Sequence, residues 1–567
     1  MPYRAPLAEY RYLLDHVTDY GRLADTAHFA EATPDLTEAI LTEAAKLCEE
    51  VMAPLQRVGD LEGSRLENGV VRTPTGYAEA FRAIAEGGWI GMSAGAEHGG
   101  MGLPVTLAMA VNEMMSGACL ALQLNPLMIQ GQIEALEHHA SDELKALYLP
   151  RLISGDWTGT MNLTEPQAGS DVGALATRAE PNGDGSYAIT GQKIFISWGD
   201  HDMTENVVHL VLARLPDGVP GTKGISLFLV PKIIPDADGS LGRPNDLRVV
   251  SLEHKLGLHG SPTAVMAYEG ATGWLVGPEH GGMAAMFTMM NNARLGVATQ
   301  GIGAAEGAYQ HALAFAMERK QGRVGGTGTI VEHADVRRML AEMKAQILAA
   351  RAIELMCATA IDMERATGEA AWAARAAFLT PIAKAFGTDT GIEVASKGIQ
   401  IHGGMGYIEE SGAAQYLRDA RVTAIYEGTN GIQAMDLVGR KLRDGGEAAY
   451  ALIDEVCDCS EAARGAEPEL AAAVWNAAES LREATEWMVA RTDAGDRNAG
   501  AVPYLRAFAL VIGGCAHLKS AIAGDDARLR LARFYIERML PEHAALLAHA
   551  TAGAAGLMAL TPDELIA

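Results

Sequence analysis

A single carboxylate lies in an apolar, glycine-containing segment of the second half of the chain. Residues 425–429 read IYEGT, which places Glu427 between Tyr426 and Gly428. A carboxylate held away from water has a raised pKa and is a stronger base than one on the surface. The pentapeptide alone is more typical of an ordinary loop or helix-start carboxylate. A catalytic role for Glu427 therefore requires support from the rest of the chain.

Two further segments have the composition of ligand-binding loops. Residues 164–171 read TEPQAGSD and follow the strand-like MNL, and residues 400–404 read QIHGG and follow a predicted helix. Backbone amides, hydroxyls and small side chains in such loops can receive a phosphate or the polar edge of a flat cofactor. Each is weak evidence alone, because most such strings are turns and a glycine pair after a helix is usually a C-cap.

Periodicity predicts the elements that must position these segments. Thr33 followed by Pro34 is a typical helix start, and long helical periods recur at 294–320, 332–365 and 371–399. Short β-branched and aromatic runs predict strands, two of them around Gly191-Gln192. The predicted domains are an N-terminal extension without clear period at 1–32, an α-helical domain at 33–160, a β-barrel or sandwich at 161–281, a helical domain at 282–442 and an additional helical domain at 443–567.

Composition restricts the partners of the protein. The 567 residues carry a formal net charge of −26, which argues against electrostatic binding to nucleic acid or to an anionic membrane. Six scattered cysteines form no zinc-binding pattern, and no metal site is expected. No signal segment and no membrane-spanning run is recognised. We expect a cytoplasmic protein that contacts neither nucleic acid nor membrane.

Taken together, the ordered motifs resemble those of the acyl-CoA dehydrogenase family along residues 33–442. MNLTEPQAGSD is similar to the first flavin signature of that family, and GIQIHGGMGY followed by YLRDARVTAIYEGTNGIQ is similar to the second. Between them, GQKIFISWG, NNARLGVATQGIG, ERKQ and VEHADVRRMLAEM match in the same order. The resemblance implies an N-terminal α-domain, a middle β-domain and a C-terminal four-helix bundle, here followed by an extra helical extension.

The resemblance also implies an FAD site between the β-domain and the C-terminal helices. Two of the implied contacts, Arg319 and Gln321, reach the pyrophosphate from a partner subunit, which implies a homo-oligomer, either a dimer or a tetramer. Phe195 and Gln321 depart from the Trp and Thr that are common in the family, and Gln167 and Ala334 from a common Gly and Gln. The residues implied to contact FAD are Met161, Leu163, Thr164, Gly169, Ser170, Phe195, Ile196, Ser197, Arg319, Gln321, Gln400, Gly403, Gly404, Gly428 and Thr429.

By the same resemblance, Glu427 is the catalytic base. A minority of the family places the base one residue before the substrate arginine, but that position is Ala293, beside Arg294. The implied reaction is FAD-dependent α,β-dehydrogenation of an acyl-CoA thioester to the trans-2-enoyl-CoA. Electron-transfer flavoprotein is the implied electron acceptor. The residues implied to contact the substrate are Ser170, Asn291, Arg294 and Tyr426.

The two ends of the chain resemble a long bacterial subgroup of the family. MPYRAPLAEYRYLLDHV, KLGLHGSPT and AGAVPYLRAFALVIGG carry this likeness, which implies a short or medium acyl-CoA substrate. 3-Methylmercaptopropionyl-CoA is one such substrate, with a place in fatty acid metabolism and dimethylsulfoniopropionate degradation. Two alternatives remain at this point: an acyl-CoA oxidase that uses oxygen, and a DNA-binding flavoprotein of the same fold. The tail from Arg440 onward has a net charge of −6, which argues against DNA binding.

Overall fold

The computed structural model describes residues 3–322 and 326–566. The order of the chain is helical, β, helical and helical, as the sequence predicts. The predicted helix start holds in detail, because Thr33 accepts a hydrogen bond from the Leu36 N–H at 3.3 Å and Pro34 is the first helical residue. The N-terminal elements are α1 Leu7–His16, α2 Pro34–Lys46, α3 Leu55–Glu62, β1 Arg65–Glu67, β2 Val70–Arg72, α4 Tyr77–Glu86, α5 Val105–His139 and α6 Asp142–Ile153.

The long run α5 is a hairpin of two helices. Its backbone leaves the helical region at Cys119, where φ is −157° and ψ is 88°. Both ends of α5 then meet one region of the C-terminal domain: the Val105 N–H donates to Asp362 at 2.7 Å, and Glu134 pairs with Arg365 at 2.8 Å. This anchors the N-terminal domain to the helices that carry the candidate site.

The middle domain is a closed barrel with two added strands. β11 pairs with β5, β5 with β4, β4 with β6, β6 with β7, and β7 again with β11. β10 extends the sheet beside β11, and β3 lies parallel to β6. The strands are β3 Trp157–Asn162, β4 Arg178–Pro181, β5 Tyr187–Ser197, β6 Asn206–Arg214, β7 Ile225–Pro231, β8 Ile233–Pro235, β9 Leu241–Pro244, β10 Leu247–Leu252 and β11 Thr263–Val276.

The prediction of two strands around Gly191-Gln192 is wrong. Residues 187–197 form one strand, β5, and the hairpin turn lies earlier, where the Asn182 N–H donates to the Ser186 carbonyl at 2.9 Å. A Cβ at position 191 would stand 2.3 Å from Thr177 Oγ1. Gly191 is therefore required by close packing within the barrel rather than by a turn.

Three long helices form the frame of the C-terminal domain, and the predicted helical periods correspond to them. α7 begins earlier than the period indicated, at Gly282, and α9 packs along both α7 and α8. The elements are α7 Gly282–Glu318, α8 Ala334–Thr367, α9 Ala370–His402, α10 Gly404–Tyr407, α11 Ala413–Ala420 and α12 Asn430–Asp436, followed by a short π-helical turn, Leu437–Lys441.

The last helices share a hydrophobic core with this bundle. α15 packs on α8, α9 and α12, and Phe508 of α15 contacts Phe378 of α9 with ring centroids 5.0 Å apart. The helices are α13 Glu447–Ala463, α14 Pro468–Ala490, α15 Ala494–Ala523, α16 Asp526–Arg538, α17 Glu542–Ala550, α18 Ala555–Met558 and α19 Pro562–Ile566.

The N-terminal extension, for which the sequence shows no clear period, contains the helix α1. The ring of Tyr10 lies against the guanidinium of Arg351 at 5.0 Å, and Tyr12 donates to the Ser520 carbonyl of α15 at 2.7 Å. Glu9 pairs with Arg528 of α16 at 2.8 Å. The extension thus connects the bundle to the last helices of the chain.

Two helices, α5 and α15, are long and apolar enough to cross a membrane by length and composition. Their most apolar windows are 100% and 78% buried within the protein, respectively. Burial of this kind is typical of the core helices of a large domain.

Candidate active site

The loop that carries Glu427 has an unusual backbone. Glu427 has φ 55° and Gly428 has φ 84°, so two successive residues are left-handed. A non-glycine residue in this region is uncommon, and it persists where its surroundings hold it. Immediately afterwards, Thr429 caps α12 by accepting a hydrogen bond from the Ile432 N–H at 3.3 Å. The loop therefore turns sharply between α11 and α12 with Glu427 at its bend.

Side chains from three helices hold the carbonyls of this bend. Gln433 of α12 donates to the Glu427 carbonyl at 3.1 Å, and Arg294 of α7 lies 3.4 Å from the same oxygen. Lys384 of α9 donates to the Gly428 carbonyl at 3.0 Å. The Glu427 N–H donates to no acceptor within the part of the chain that the structure describes. That N–H is the kind of donor that binds the oxygen of a ligand carbonyl.

Burial sets the basicity of Glu427. Desolvation raises the pKa of this carboxyl to about 7, although the positive charges of Arg294 and Lys384 lower it. A general base works best when its pKa lies near the operating pH, because it is then both ionised and strongly proton-accepting. The carboxylate that the family resemblance implies as the base thus has the electrostatics of a base.

Arg294 lies beside Glu427 in a mostly buried position. It is 6% exposed, and its Nη1 donates to Asn291 Oδ1 at 3.3 Å, so the two predicted substrate residues are in contact. Both line a cavity of about 260 Å³ together with Asp436 and Lys441. Ala293 is fully buried, and no carboxylate occupies the alternative base position.

The predicted flavin residues of the β-domain form one continuous edge. Lys193 of β5 donates to the Leu163 carbonyl at 3.0 Å and pairs with Glu165 at 2.8 Å. The Ile194 N–H donates to the Thr164 carbonyl at 2.9 Å. Burial opposes ionisation of Glu165, but Lys193 lowers its pKa to about 2, so the pair is charged. This ion pair ties the segment 161–165 to the end of β5.

The same edge fits a flat, polar-rimmed cofactor. Phe195 is 59% exposed with φ 60°, so a large aromatic ring faces outward from a strained position. Exposed Ser170 and half-buried Thr164 and Ser197 supply hydroxyls beside it, and Ile196 is buried beneath. No atom lies within 4 Å of a Cβ built on Gly169. An aromatic face, hydroxyl donors and open space at a glycine are the features that an isoalloxazine ring requires.

A short loop after β10 connects this edge to the base. Ser197 at the end of β5 pairs with Thr263 at the start of β11. Just before Thr263, the Leu258 N–H donates to Asp419 of α11 at 2.6 Å, and burial raises the pKa of Asp419 to about 6. Because α11 leads directly into the Glu427 loop, this contact relates the flavin edge to the base.

A second group of predicted flavin residues lies at the opposite end of the bundle. Arg319 and Gln321 follow α7, Gln400 lies in the last turn of α9, and Gly403 and Gly404 follow that helix; all five are exposed. The two helix ends are adjacent, since the rings of Phe315 and His402 have centroids 4.5 Å apart. At a rise of about 1.5 Å per residue, Arg319 lies about 37 Å from Arg294 along α7. Within one chain, the structure therefore separates this group from Glu427.

Sequence reasoning missed three polar side chains of the site. Lys384 is fully buried, and Asn430 contacts it; Gln300 is fully buried and accepts a hydrogen bond from Tyr426. Lys384 occurs in the helical text PIAKAFG as one charge among apolar residues. A lysine on the apolar face of a predicted helix is the feature that indicates a site here, because lysine is rarely buried unless its charge has partners.

Four family models match successive parts of the chain. They are described as the acyl-CoA dehydrogenase N-terminal domain at 34–156, the middle domain at 160–271, the C-terminal domain at 280–442, and an acetyl-CoA dehydrogenase C-terminal-like domain at 450–561. The chain belongs to the acyl-CoA dehydrogenase family, whose members oxidise the CH–CH bond of acyl-CoA thioesters and use FAD. The predicted fold, enzyme class and cofactor are confirmed.

Among its relatives is the 3-methylmercaptopropionyl-CoA dehydrogenase of Ruegeria pomeroyi, 46% identical over 525 residues, which cover 89% of this chain and 88% of that protein. This confirms the resemblance to the long bacterial subgroup. The structure of Caenorhabditis elegans ACDH-11 in complex with C11-CoA has a TM-score of 0.81 at 22% identity, over 95% of this chain and 92% of that one. Butyryl-CoA dehydrogenase from Megasphaera elsdenii has a TM-score of 0.62 at 26% identity, over 72% and 99%.

The pH dependence of substrate-driven flavin reduction should report Glu427. Only the ionised carboxylate accepts a proton, so kcat/KM should rise with pH through a midpoint of about 7 and level off at higher pH. Anaerobic stopped-flow measurement of flavin bleaching between about pH 5 and pH 9 checks this. If kcat/KM instead reached its plateau at about pH 5, as an ordinary surface glutamate would give, the desolvated environment of Glu427 would be contradicted.

Proposed function

We propose that this chain catalyses the FAD-dependent α,β-dehydrogenation of a short acyl-CoA to the trans-2-enoyl-CoA, with Glu427 as the base. The observation that carries the proposal is the half-buried Glu427 carboxylate, whose pKa desolvation raises to about 7, beside a backbone N–H with no protein acceptor among the described residues. One residue thus offers both the proton acceptor and a hydrogen-bond donor for the thioester oxygen.

The residues of the chain divide the reaction between them. Glu427 accepts the proton from the acyl α-carbon as hydride leaves the β-carbon. The Glu427 N–H stabilises the negative charge that develops on the thioester oxygen. Arg294 and Asn291 bind the CoA portion, and Tyr426 forms a wall of the acyl pocket. When bound, FAD supplies the hydride acceptor at the edge formed by residues 161–170 and 195–197.

A buried amide chain behind Tyr426 supports a short acyl group. The Tyr426 hydroxyl donates to Gln300 Oε1, and Gln300 Nε2 donates to Gln123 Oε1 at 3.0 Å. Gln123 Nε2 lies 3.3 Å from Asn112 Oδ1, and Asn112 Nδ2 donates to Gln130 at 2.8 Å. A long alkyl chain that entered this region would leave buried amides without partners, which is costly.

The relatives support the same size of substrate. One is the 3-methylmercaptopropionyl-CoA dehydrogenase described above, and a butyryl-CoA dehydrogenase of Syntrophomonas wolfei is 37% identical over 71% of this chain. We therefore propose 3-methylmercaptopropionyl-CoA, or another acyl-CoA of similar length, as the substrate. Electron-transfer flavoprotein is the proposed electron acceptor, and the cytoplasm is the proposed location.

We also propose that the enzyme is a homo-oligomer with shared flavin sites. The exposed group formed by Arg319, Gln321, Gln400, Gly403 and Gly404 lies at the far end of α7 and α9, about 37 Å along α7 from Arg294 beside Glu427. A second copy of the chain can bring that group to the pyrophosphate, where a guanidinium is well suited to phosphate oxygens. A dimer is the smallest assembly that completes the site.

Glu427→Gln should abolish catalysis without loss of binding. The amide has nearly the same shape, so folding, yellow colour and acyl-CoA binding should remain, while removal of the base should slow flavin bleaching by about 10⁴-fold or more. Anaerobic mixing with 3-methylmercaptopropionyl-CoA measures the bleaching rate. Glu410→Gln, which changes an exposed glutamate, is the matched control. Near-wild-type bleaching in Glu427→Gln would show that another group takes the proton.

Gln300→Leu should shift the enzyme toward longer acyl chains. The leucine removes the hydrogen-bond partner of Tyr426 and makes the pocket floor more apolar, so we expect kcat/KM to fall for 3-methylmercaptopropionyl-CoA relative to octanoyl-CoA, with the ratio changing about tenfold. Gln346→Leu, a buried glutamine of α8 that pairs with Glu393, is the control for loss of a buried amide. An unchanged ratio would place the acyl chain elsewhere.

Arg319→Ala should weaken FAD binding more than it slows chemistry. A charge-assisted hydrogen bond contributes about 1.5–3 kcal/mol, which corresponds to an increase in the FAD dissociation constant of about tenfold to 150-fold. Flavin titration of the apoprotein measures this, and Lys320→Ala, the adjacent exposed cation, is the control. Sedimentation of the wild type as a monomer at micromolar concentration would contradict the shared site.

A further inference from the structure

One turn of α9 faces the loop that carries the base. Lys384, Thr388 and Asp389 lie on the same side of this turn, and Lys384 and Thr388 are fully buried. Lys384 Nζ donates to the Gly428 carbonyl at 3.0 Å and to Asn430 Oδ1 at 2.9 Å. A buried lysine is costly unless its charge is compensated, so its position opposite this loop requires an explanation.

The amide of Asn430 is fully bonded by the same turn. Its Oδ1 accepts from Lys384 and from Thr388 Oγ1, the latter at 3.2 Å. Its Nδ2 donates to Asp389 Oδ1 at 2.7 Å and lies 3.3 Å from the Ala385 carbonyl. Both polar atoms of Asn430 are therefore held by one helical turn, which leaves the amide a single orientation.

These contacts flank the strained part of the loop. Glu427 and Gly428 are left-handed, and Lys384 holds the carbonyl of Gly428 and the side chain of Asn430, on either side of Thr429. A strained backbone persists only where the surroundings hold it in place. Gln433 holds the Glu427 carbonyl but belongs to α12, the helix that directly follows the loop in the chain. The turn of α9 belongs to the rigid bundle and can fix the loop from outside.

We propose that Lys384 and Asn430 form a positioning clamp for the catalytic base: the clamp holds the left-handed Glu427 loop against α9, and the Lys384 ammonium favours the ionised carboxylate. The inference deepens the proposed function, because it rests on Glu427 as the base. Lys384 and Asn430 are positioning residues, since they act on the substrate only through Glu427.

The effect of Lys384 on the pKa of Glu427 depends on the other charged groups around that carboxyl. Arg294 of α7 and Lys384 of α9 are the positive groups that lower the pKa of Glu427 against the effect of burial. Burial lowers the pKa of Lys384 to about 7, while Glu427 and Asp389 raise it and Arg294 lowers it further. On α12 and the turn after it, Asp436, Arg440 and Lys441 face Arg294; the side chain of Tyr426 adjoins Glu427.

A purely structural lysine and a clamp differ in the pH profile. A structural role predicts lower stability or lower flavin content with an unchanged midpoint of the pH–rate curve. In the clamp, loss of the ammonium leaves Glu427 with one positive neighbour fewer at and below about pH 7, where Lys384 is protonated, so its carboxyl binds a proton more tightly there. The midpoint must then move to higher pH.

The test uses the FAD-loaded enzyme, with Lys384→Met, Asn430→Ala and the exposed control Lys344→Met. Flavin content and thermal unfolding are measured first, followed by anaerobic flavin bleaching with butyryl-CoA from about pH 5.5 to pH 9.5. For Lys384→Met we expect a midpoint raised by about one pH unit and bleaching at neutral pH slowed by at least about tenfold. For Asn430→Ala, which keeps the ammonium, we expect bleaching slowed by about 10- to 100-fold at every pH with the midpoint unchanged.

Lys344→Met should match the wild type in both respects. A wild-type midpoint in flavin-loaded Lys384→Met overturns the electrostatic part of the clamp, and wild-type rates in Asn430→Ala overturn the geometric part. If Lys384→Met does not retain FAD, Lys384→Arg, which keeps the charge, should retain it and keep the wild-type midpoint; a raised midpoint there overturns the proposal. Failure of the wild type itself to bleach with any acyl-CoA would reject the proposed function instead, so the two failures are distinguishable.

Discussion

The proposed site depends on one half-buried carboxylate that is partly desolvated but still able to ionise. Desolvation raises the pKa of Glu427, and the positive charges of Arg294 and Lys384 limit that rise to a value of about 7. Without the cations, the pKa of this carboxyl would be higher and less of it would be ionised at neutral pH; without the desolvation, it would be a weaker base. The α7–α9 bundle supplies one cation from each of two adjacent helices, which explains why the base loop packs across both of them.

Desolvation of Glu427 does not by itself fix its position. The proposed site also requires a firm connection between the Glu427 loop and the predicted flavin edge. That edge belongs to the β-barrel, whereas Glu427 belongs to the helical domain. The Leu258–Asp419 hydrogen bond and the pairing of Ser197 with Thr263 join the two through a short loop. On the barrel side, the Lys193–Glu165 pair holds the edge itself. Burying polar or charged groups costs free energy that their mutual contacts largely offset. These contacts therefore specify the geometry more than they add stability.

Much of the fold and of the site could be predicted from the sequence, where the signal is local. The long helices follow from period, and the base loop follows from an isolated glutamate within family motifs. Three features could not be predicted, because their causes lie in distant residues. Helix α1 has no clear apolar period, and its position depends on distant contacts such as that of Tyr10 with Arg351. Gly191 resembles a turn residue in the sequence, but it is needed for the close approach of Thr177. The burial of Lys384 is explained only by its hydrogen bonds to the Glu427 loop.

The positions of the remaining predicted flavin residues are the basis for the proposal that two chains share a flavin site. α7 is an uninterrupted helix, so it separates Arg294 near its start from Arg319 at its end by a fixed length of about 37 Å. A rigid rod of this kind cannot bend to bring both ends to one cofactor. The exposed group at its far end is built from two helix ends that pack together through Phe315 and His402. The same helix therefore places a cation beside Glu427 and, in the proposed oligomer, carries the exposed group that a second copy would use for the pyrophosphate.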